Sequence, residues 1–402
     1  MQLSRRAEAI QESPIRKLAP LANAARARGV KIFNLNIGQP DVPTPPEFLQ
    51  AVAAFSDPVL AYGPSDGLPE LRQVMTEYFR RYAIEIEPRE ILITNGGSEA
   101  ILFAFTAVAD EGQEIIIPEP FYTNYNGYAE MANLKVIPVR TRAEDGFHLP
   151  PDAALEKAIT PRTRAMLICS PNNPTGTVLS WEELERLGAF ARRHDLFLIA
   201  DEVYKEFTYD GARHRSVLEL PGLDERVIVV DSISKRFSAC GARVGAVISR
   251  HRPLMAAILK FGQARLCPPT LEQLGAIAAY RMPETYFDSV REEYQRRRDV
   301  MFDGLVKDPG IVLRKPAGAF YMIVKMSGVA DSDDFARFML EDFNLEGETV
   351  MVAPAGGFYA TPGAGTDEVR MAYVLEAPKI ERAMQVFLAG FDRYRSLRGP
   401  RG

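Results

Sequence analysis

Val227-Ile-Val-Val-Asp-Ser-Ile-Ser-Lys-Arg-Phe-Ser238 is the stretch on which the fold turns. Its first four residues are apolar without polar alternation, the pattern of a strand buried on both faces of a sheet. The strand then runs into a polar turn that holds Ser232, Ser234 and Lys235, with Arg243 eight residues past the lysine. A lysine at the mouth of a buried strand can condense with an aldehyde, while nearby hydroxyls and a guanidinium hold a phosphate. It can equally be a solvated loop lysine, because a lysine becomes a useful nucleophile only when its surroundings tune it.

Working outward, six more short apolar runs share the pattern: Ile91–Thr94, Glu114–Pro118, Lys135–Val139, Ala165–Cys169, Leu196–Ala200 and Val244–Ile248. Helical segments separate several of them. One opens at Ser180-Trp-Glu-Glu183, where Ser180 and Glu183 have the spacing of a capping box, and Leu184, Leu187 and Phe190 then mark one apolar face. Seven such strands with crossover helices imply an α/β domain around a mostly parallel seven-stranded sheet. From about residue 290 the pattern changes to a charged helix (291–306), strands expected at 319–324, 350–353 and 369–374, and helices near 333–341 and 378–394. This mixture fits a smaller α+β domain. The first segment, rich in Pro and Gly, is too irregular to form a core alone and is expected to lie against that second domain. The expected division is therefore 49–290 for the large domain, with 1–48 and 291–402 forming the small one. A chain of 402 residues exceeds the size at which single cores usually stop growing, so two domains are the natural expectation.

Composition narrows the function. A hydrophobic share of 47% with 25% charged residues is ordinary for a soluble globular protein. A net charge of −5 gives no sign of a nucleic-acid or anionic-membrane surface, and no apolar run reaches the length of a membrane span. The first ten residues lack the apolar stretch of a signal peptide. Cys169, Cys240 and Cys267 have no metal-ligand spacing, and the four histidines are scattered, so no metal site is expected. The odd cysteine count suits a reducing cytosol, and a cytoplasmic enzyme is the expectation.

Other residues at strand ends extend the chemistry around Lys235. Asp201 follows Leu-Phe-Leu-Ile-Ala directly and could keep a pyridine nitrogen protonated, or simply cap a helix; Tyr204, three residues on, could meet a ring oxygen. Thr94-Asn-Gly-Gly-Ser98 joins a strand to a helix, where free backbone N–H groups attract phosphate; it matches neither the dinucleotide fingerprint nor a P-loop. Ser170-Pro-Asn-Asn-Pro-Thr-Gly176 is a rigid turn that places Asn173 at a strand end. Arg370 lies inside the apolar run Glu-Val-Arg-Met-Ala-Tyr-Val and needs a partner, either an internal acid or a bound carboxylate. Together these parts suit pyridoxal phosphate, which carries an aldehyde and a phosphate on one ring.

The motifs Asn172-Asn-Pro-Thr-Gly176, Asp201-Glu-Val-Tyr204 and Ser232-Ile-Ser-Lys235 with Arg243 closely resemble those of the class I/II aminotransferases. These are the aspartate-aminotransferase-like, fold-type I pyridoxal-phosphate enzymes, and the resemblance runs from about Asn34 to Tyr373. It implies that Lys235 forms the Schiff base with the cofactor and, once released, shuttles the substrate proton. It implies that Asp201 pairs with the ring nitrogen, that Tyr204 and Asn173 meet the ring oxygen, and that Gly97, Ser98, Ser232 and Arg243 hold the phosphate. Tyr122 would stack on the ring, and Arg370 would bind the substrate α-carboxylate with Asn173 and the backbone of Gly38. Tyr62 would reach the phosphate of a neighbouring subunit, which implies a homodimer with active sites at the subunit interface. The implied reaction is a ping-pong exchange between an amino acid and a 2-oxo acid. Aspartate or glutamate, with 2-oxoglutarate as acceptor, is the expected substrate pair, and Arg265 is the candidate ligand of its distal carboxylate or of the phosphate; some relatives use a lysine where this chain has Ser98. Aromatic or neutral amino acids are the alternative substrates, and lyase or decarboxylase chemistry on the same fold is a further one.

Overall fold

The computed structural model describes residues 1–398. All seven expected strands of the large sheet form, and a short strand, β1 (Lys31–Asn34), precedes them. The seven are β2 (Ile91–Asn95), β3 (Glu114–Glu119), β4 (Lys135–Arg140), β5 (Thr163–Cys169), β6 (Phe197–Asp201), β7 (Val227–Ser232) and β8 (Val244–Ile248). Their spatial order is β2-β8-β7-β6-β5-β3-β4, parallel throughout except for β8, which runs antiparallel to both of its neighbours.

The unbroken apolar runs are explained by burial on both faces. Leu92, Ile115, Ile117, Leu167, Ile199, Ile228 and Val247 face a core closed by helices Gly96–Val108, Asn124–Met131 and Arg252–Arg265. Their chain neighbours Ile93, Ile116, Met166, Ile168, Leu198 and Val229 face the opposite core, under helices Pro69–Arg80, Trp181–Arg193 and Thr270–Tyr280. Strand residues alternate between faces, so a strand covered on both sides must be apolar at every position. The Ser180 capping box forms as read: the Ser180 hydroxyl accepts from the Glu183 amide and the Glu183 carboxylate accepts from the Ser180 amide.

The later part of the chain builds β9 (Ile311–Val312), β10 (Tyr321–Met326), β11 (Glu348–Met351), β12 (Ala353–Pro354) and β13 (Glu368–Ala372). Strands β12-β13-β10-β9 form an antiparallel sheet packed on helices Glu284–Leu305, Ser332–Glu341 and Ala377–Arg398. The helix expected from 291 starts at Glu284, so position 290 lies within a continuous helix. Tyr286, Phe287 and Val290 carry its apolar face seven residues further back than the charged run suggests, and Pro283 sets its start. The N-terminal segment joins this part of the structure: β1 pairs in parallel with β11, and Leu18, Ala22, Phe33 and Leu35 enter the same core.

One topological feature gathers the site. The C-terminal ends of parallel strands β3, β5, β6 and β7 share one edge of the sheet, where α/β folds bind ligands. Because β8 is reversed, its start lies at that same edge, with Val244 opposite Asn95 and Gly245 opposite Ser232. Arg243, the residue before β8, is thereby delivered to the ends of β2 and β7.

Candidate active site

Lys235 sits in the short helix Ile233–Arg236 that follows β7, half-buried, with its Nζ donating to the Gly38 carbonyl at 3.1 Å and lying 3.8 Å from Cys240 Sγ. Gly38 is required by close approach: a β-carbon there would overlap the Tyr321 ring and hydroxyl, and the same Gly38 carbonyl accepts from Tyr321 at 3.4 Å. Gly38→Ala is therefore expected to displace Tyr321 and to lower kcat/KM at least ~10-fold, since small misplacements at a reacting centre reduce rates strongly. Steady-state kinetics with a melting curve as control checks this; wild-type kinetics would refute the close-approach argument.

Asp201 ends β6, buried, and accepts from the Tyr125 hydroxyl at 2.7 Å and from the Val203 amide at 3.3 Å. Neither donor is a cation. Burial pushes its carboxyl up to about 6, against the opposing pull of those hydrogen bonds. A protonated ring nitrogen is the counter-charge such a carboxylate suits.

Arg370, on β13 opposite Ile323, is buried to about 1% exposure with no carboxylate in ion-pair contact among the described residues. The internal acid, one of the two partners left open by the sequence, is therefore not found among the described residues. Its guanidinium donates to Asn173 Oδ1 at 3.1 Å and to the Asn36 carbonyl, lies over the rings of Tyr321 and Phe358 at 4.6 and 4.9 Å, and leaves Nε without a partner. Burial without an anion lowers its pKa. A buried guanidinium without an anion is costly, and its fork matches the two oxygens of a carboxylate. Asn173 links the two halves: its Nδ2 donates to the Tyr204 hydroxyl at 3.4 Å, which is 3.0 Å from the Tyr321 hydroxyl.

A second anion cradle lies at the sheet edge. Arg243, at φ +54°, donates to the carbonyls of Cys240 and Asn95 and has no carboxylate partner among the described residues. It packs so closely on Gly96 that a β-carbon there would overlap its guanidinium. Gly97 and Ser98 occupy the first turn of the helix Gly96–Val108, whose free amides and dipole attract phosphate. Ser232 borders this cradle, and its hydroxyl is already engaged, donating to the Val244 carbonyl at 3.0 Å and capping the Ser234 amide.

Tyr122, Tyr62 and Arg265 complete the expected set. Tyr122 stands edge-on to Tyr125, with ring centroids 5.6 Å apart, and burial raises its pKa. Tyr62 is highly exposed, in a run with exposed Val59 and Leu60. Arg265 ends its helix with Nη2 donating to the carbonyls of Ser65 and Ile93, both at 3.2 Å, and Nη1 3.7 Å from Glu99. Glu99 in turn accepts from the Asn95 amide, so Arg265 braces the strand-to-helix turn of the cradle. Tyr125, Tyr321 and Asn36 are site residues the motifs do not single out. A tyrosine three positions after Tyr122, one helical turn into a polar segment, is the signal for the first; the other two carry none.

A half-buried lysine amine, a buried aspartate without a cationic hydrogen-bond partner and an anion cradle lie at one edge of the large sheet, and a buried arginine on β13 is joined to that edge through Asn173. Comparison with known proteins gives the family. Residues 30–387 match the family described as aminotransferase class I and II. The chain is 31% identical over 394 residues to an aspartate aminotransferase of Geobacillus stearothermophilus, covering 96% of this chain and 98% of the relative. It is 34% identical to an aromatic-amino-acid aminotransferase of Thermococcus litoralis, covering 96% and 97%. The structure of the Thermus thermophilus aspartate aminotransferase with maleate superposes with a TM-score of 0.88 at 32% identity, covering 97% of this chain and all of that one. The chain belongs to the class I and II aminotransferases and is a pyridoxal-phosphate-dependent transaminase. No described helix is long and apolar enough to cross a membrane.

Proposed function

We propose that this aminotransferase exchanges the amino group of a neutral or aromatic L-amino acid with a 2-oxo acid by a ping-pong route, using the residues at the edge of the large sheet. The observation that carries the reading is Arg370, buried and without an acidic partner among the described residues. Pyridoxal phosphate, when bound, supplies an electron-withdrawing ring that stabilises negative charge at the substrate Cα. Lys235, whose Nζ donates to the Gly38 carbonyl, would anchor the cofactor and then hold and move the Cα proton. Asp201 would hold the ring nitrogen protonated, with Tyr125 fixing the carboxylate. Tyr204 and Asn173 would meet the ring oxygen, and Tyr122 the ring face. Gly97, Ser98, Arg243 and Ser232 would form the phosphate site, Ser232 by holding the turn. Arg370, with Asn173 and Gly38, would orient the α-carboxylate so that Cα lies near Lys235. The exposed run Val59, Leu60 and Tyr62 supports a homodimer in which Tyr62 reaches the partner's site. In this reading residues 49–290 form the large cofactor-binding domain, 1–48 and 291–402 the small one, and the enzyme works in the cytoplasm.

The side chains nearest Arg370 favour that substrate class. The Tyr321 and Phe358 rings lie against it, with no second cation among its described hydrogen-bond or ring partners. The relatives named for aspartate favour a second reading, aspartate or glutamate with 2-oxoglutarate, in which Arg265 leaves its bracing contacts to meet a distal carboxylate. A half-reaction panel of amino acids, followed by an acceptor screen, decides between them. Arg265→Ala is expected to reduce rates for phenylalanine and aspartate by the same factor, within ~3-fold. A loss of ~10-fold or more for aspartate alone would establish the second reading.

A further inference from the structure

Behind the site lies a buried charge cluster that none of the steps above uses. Lys205 and Glu206 follow Asp201 by four and five residues, while Asp231 and Arg236 flank the Lys235 turn. Their side chains are between 0 and 4% exposed. Lys205 Nζ lies 3.0 Å from Asp231 Oδ2 and packs over the Phe79 ring at 3.8 Å. Arg236 pairs with Asp231, reaches Glu206 Oε1 at 2.9 Å through Nε, and donates to the Tyr280 hydroxyl at 2.8 Å. Tyr78 donates to Glu206, and its ring lies against the Arg236 guanidinium. Asp231 also accepts from the Ser232 amide, the residue that caps the Lys235 helix.

Two anions and two cations thus tie the segment carrying Asp201 to the turn carrying Lys235. We propose that this cluster is a positioning element that fixes those two segments together and, by its near-zero net charge, sets the electrostatic balance at the cofactor. The inference rests on the roles given above to Lys235 and Asp201. A neutral hydrogen-bonded patch would clamp the same segments without ion desolvation, and buried pairs are often no more stabilising than apolar replacements. Four charges behind two reacting groups make sense where the field itself is used, because interior charges act over longer range than exposed ones. Burial raises the Asp201 carboxyl and Asp231 adds to that rise, while Arg236 and Lys205 hold Asp231 low against its own burial. The other groups that bear on the reacting atoms are Cys240, 3.8 Å from Lys235 Nζ, Tyr125 and Cys169 beside Asp201, and Tyr204, Tyr321, Tyr122, Arg370 and Arg243 around the site; the buried Glu202, paired with His214, bears on Lys205. All of these stay unchanged in the variants below.

The test is a pH titration of the visible absorbance of the cofactor-loaded enzyme. The protonated cofactor–lysine linkage is cationic, so its midpoint follows the sign of the cluster. Asp231→Asn and Glu206→Gln each leave the cluster at +1 and are expected to lower the midpoint by about 0.5 pH unit or more. Lys205→Met keeps the stem over Phe79, leaves the cluster at −1, and is expected to raise it by a similar amount. Opposite shifts support the inference, and a purely structural role would not produce them. Folded variants whose midpoints stay within 0.2 unit of wild type, or all move the same way, overturn it. So does loss of the fold in every variant, since the cluster would then be a stability element alone. If the wild type itself shows no visible band from a lysine-bound cofactor, the reading of Lys235 fails instead.

Discussion

Lys235→Ala is expected to abolish transamination, lowering kcat at least ~10⁴-fold, while the fold stays intact. The size follows from two losses at once, the covalent anchor and the proton carrier, and positioned proton transfer alone contributes ~10²–10⁴-fold. Stability should change little, because Lys235 is half-buried and, among the described residues, its Nζ hydrogen-bonds one carbonyl and one thiol. Single-turnover measurements on protein with a wild-type melting curve check this. The internal control is Lys235→Arg, which keeps the charge but cannot condense with the cofactor's aldehyde; it should be as inactive as the alanine variant. Transamination at the wild-type rate in either variant would remove the assignment.

Asp201→Asn should lower kcat by ~10²–10³, the usual scale for removing one preorganised charge at a reaction centre, and yet stabilise protein stripped of cofactor. The sign follows from linkage. Burial raises the Asp201 carboxyl from 3.8 to about 6, so the folded chain holds that proton more tightly than the unfolded chain does. Its stabilising contribution is complete below about pH 4 and is lost as pH rises through 6. Above pH 6 the ionised carboxylate destabilises the stripped protein by up to roughly 3 kcal/mol, a shift of two units at ~1.4 kcal/mol each. Asparagine carries no charge and can still accept from Tyr125. Denaturant melts of stripped protein should therefore show the variant more stable than wild type at pH 8, with the difference gone at pH 4. A variant less stable than wild type at pH 8 would contradict the burial argument. An aspartate kept at such a position is a functional group held at the expense of the fold.

How legible this was depends on which physical signal each feature leaves in the chain. The seven strands could be read because burial on both faces forbids polar residues, and Leu92, Ile116, Leu167 and Ile199 each fill one face or the other. The reversal of β8 could not, since an apolar run carries no direction; yet that reversal is what brings Arg243 to Asn95. The start of the helix at Glu284 escaped because its first turns pack on cores through Tyr286 and Phe287 while the charged run begins later. Lys235, Asp201 and Asn173 were legible because strand ends and turn residues flank them. Arg370 was visible as a charge in an apolar strand, but its lack of an acidic partner is a property of the packing. Tyr321 carries no such signal, because an aromatic residue in a buried strand reads as core. Arg265 leaves no mark in the sequence of the contacts it makes here, with the Ser65 and Ile93 carbonyls and Glu99, because those residues lie far away along the chain.

The central claim is that Lys235, and no other lysine, carries the cofactor. Borohydride reduction of the cofactor-loaded enzyme, followed by proteolysis and peptide mass mapping, tests it directly. The phosphopyridoxyl mass is expected on the peptide containing Ser232-Ile-Ser-Lys235, at about one per chain, and to vanish in Lys235→Ala. A label on a different lysine, or an unlabelled Lys235 peptide from a protein that still transaminates, would contradict the account.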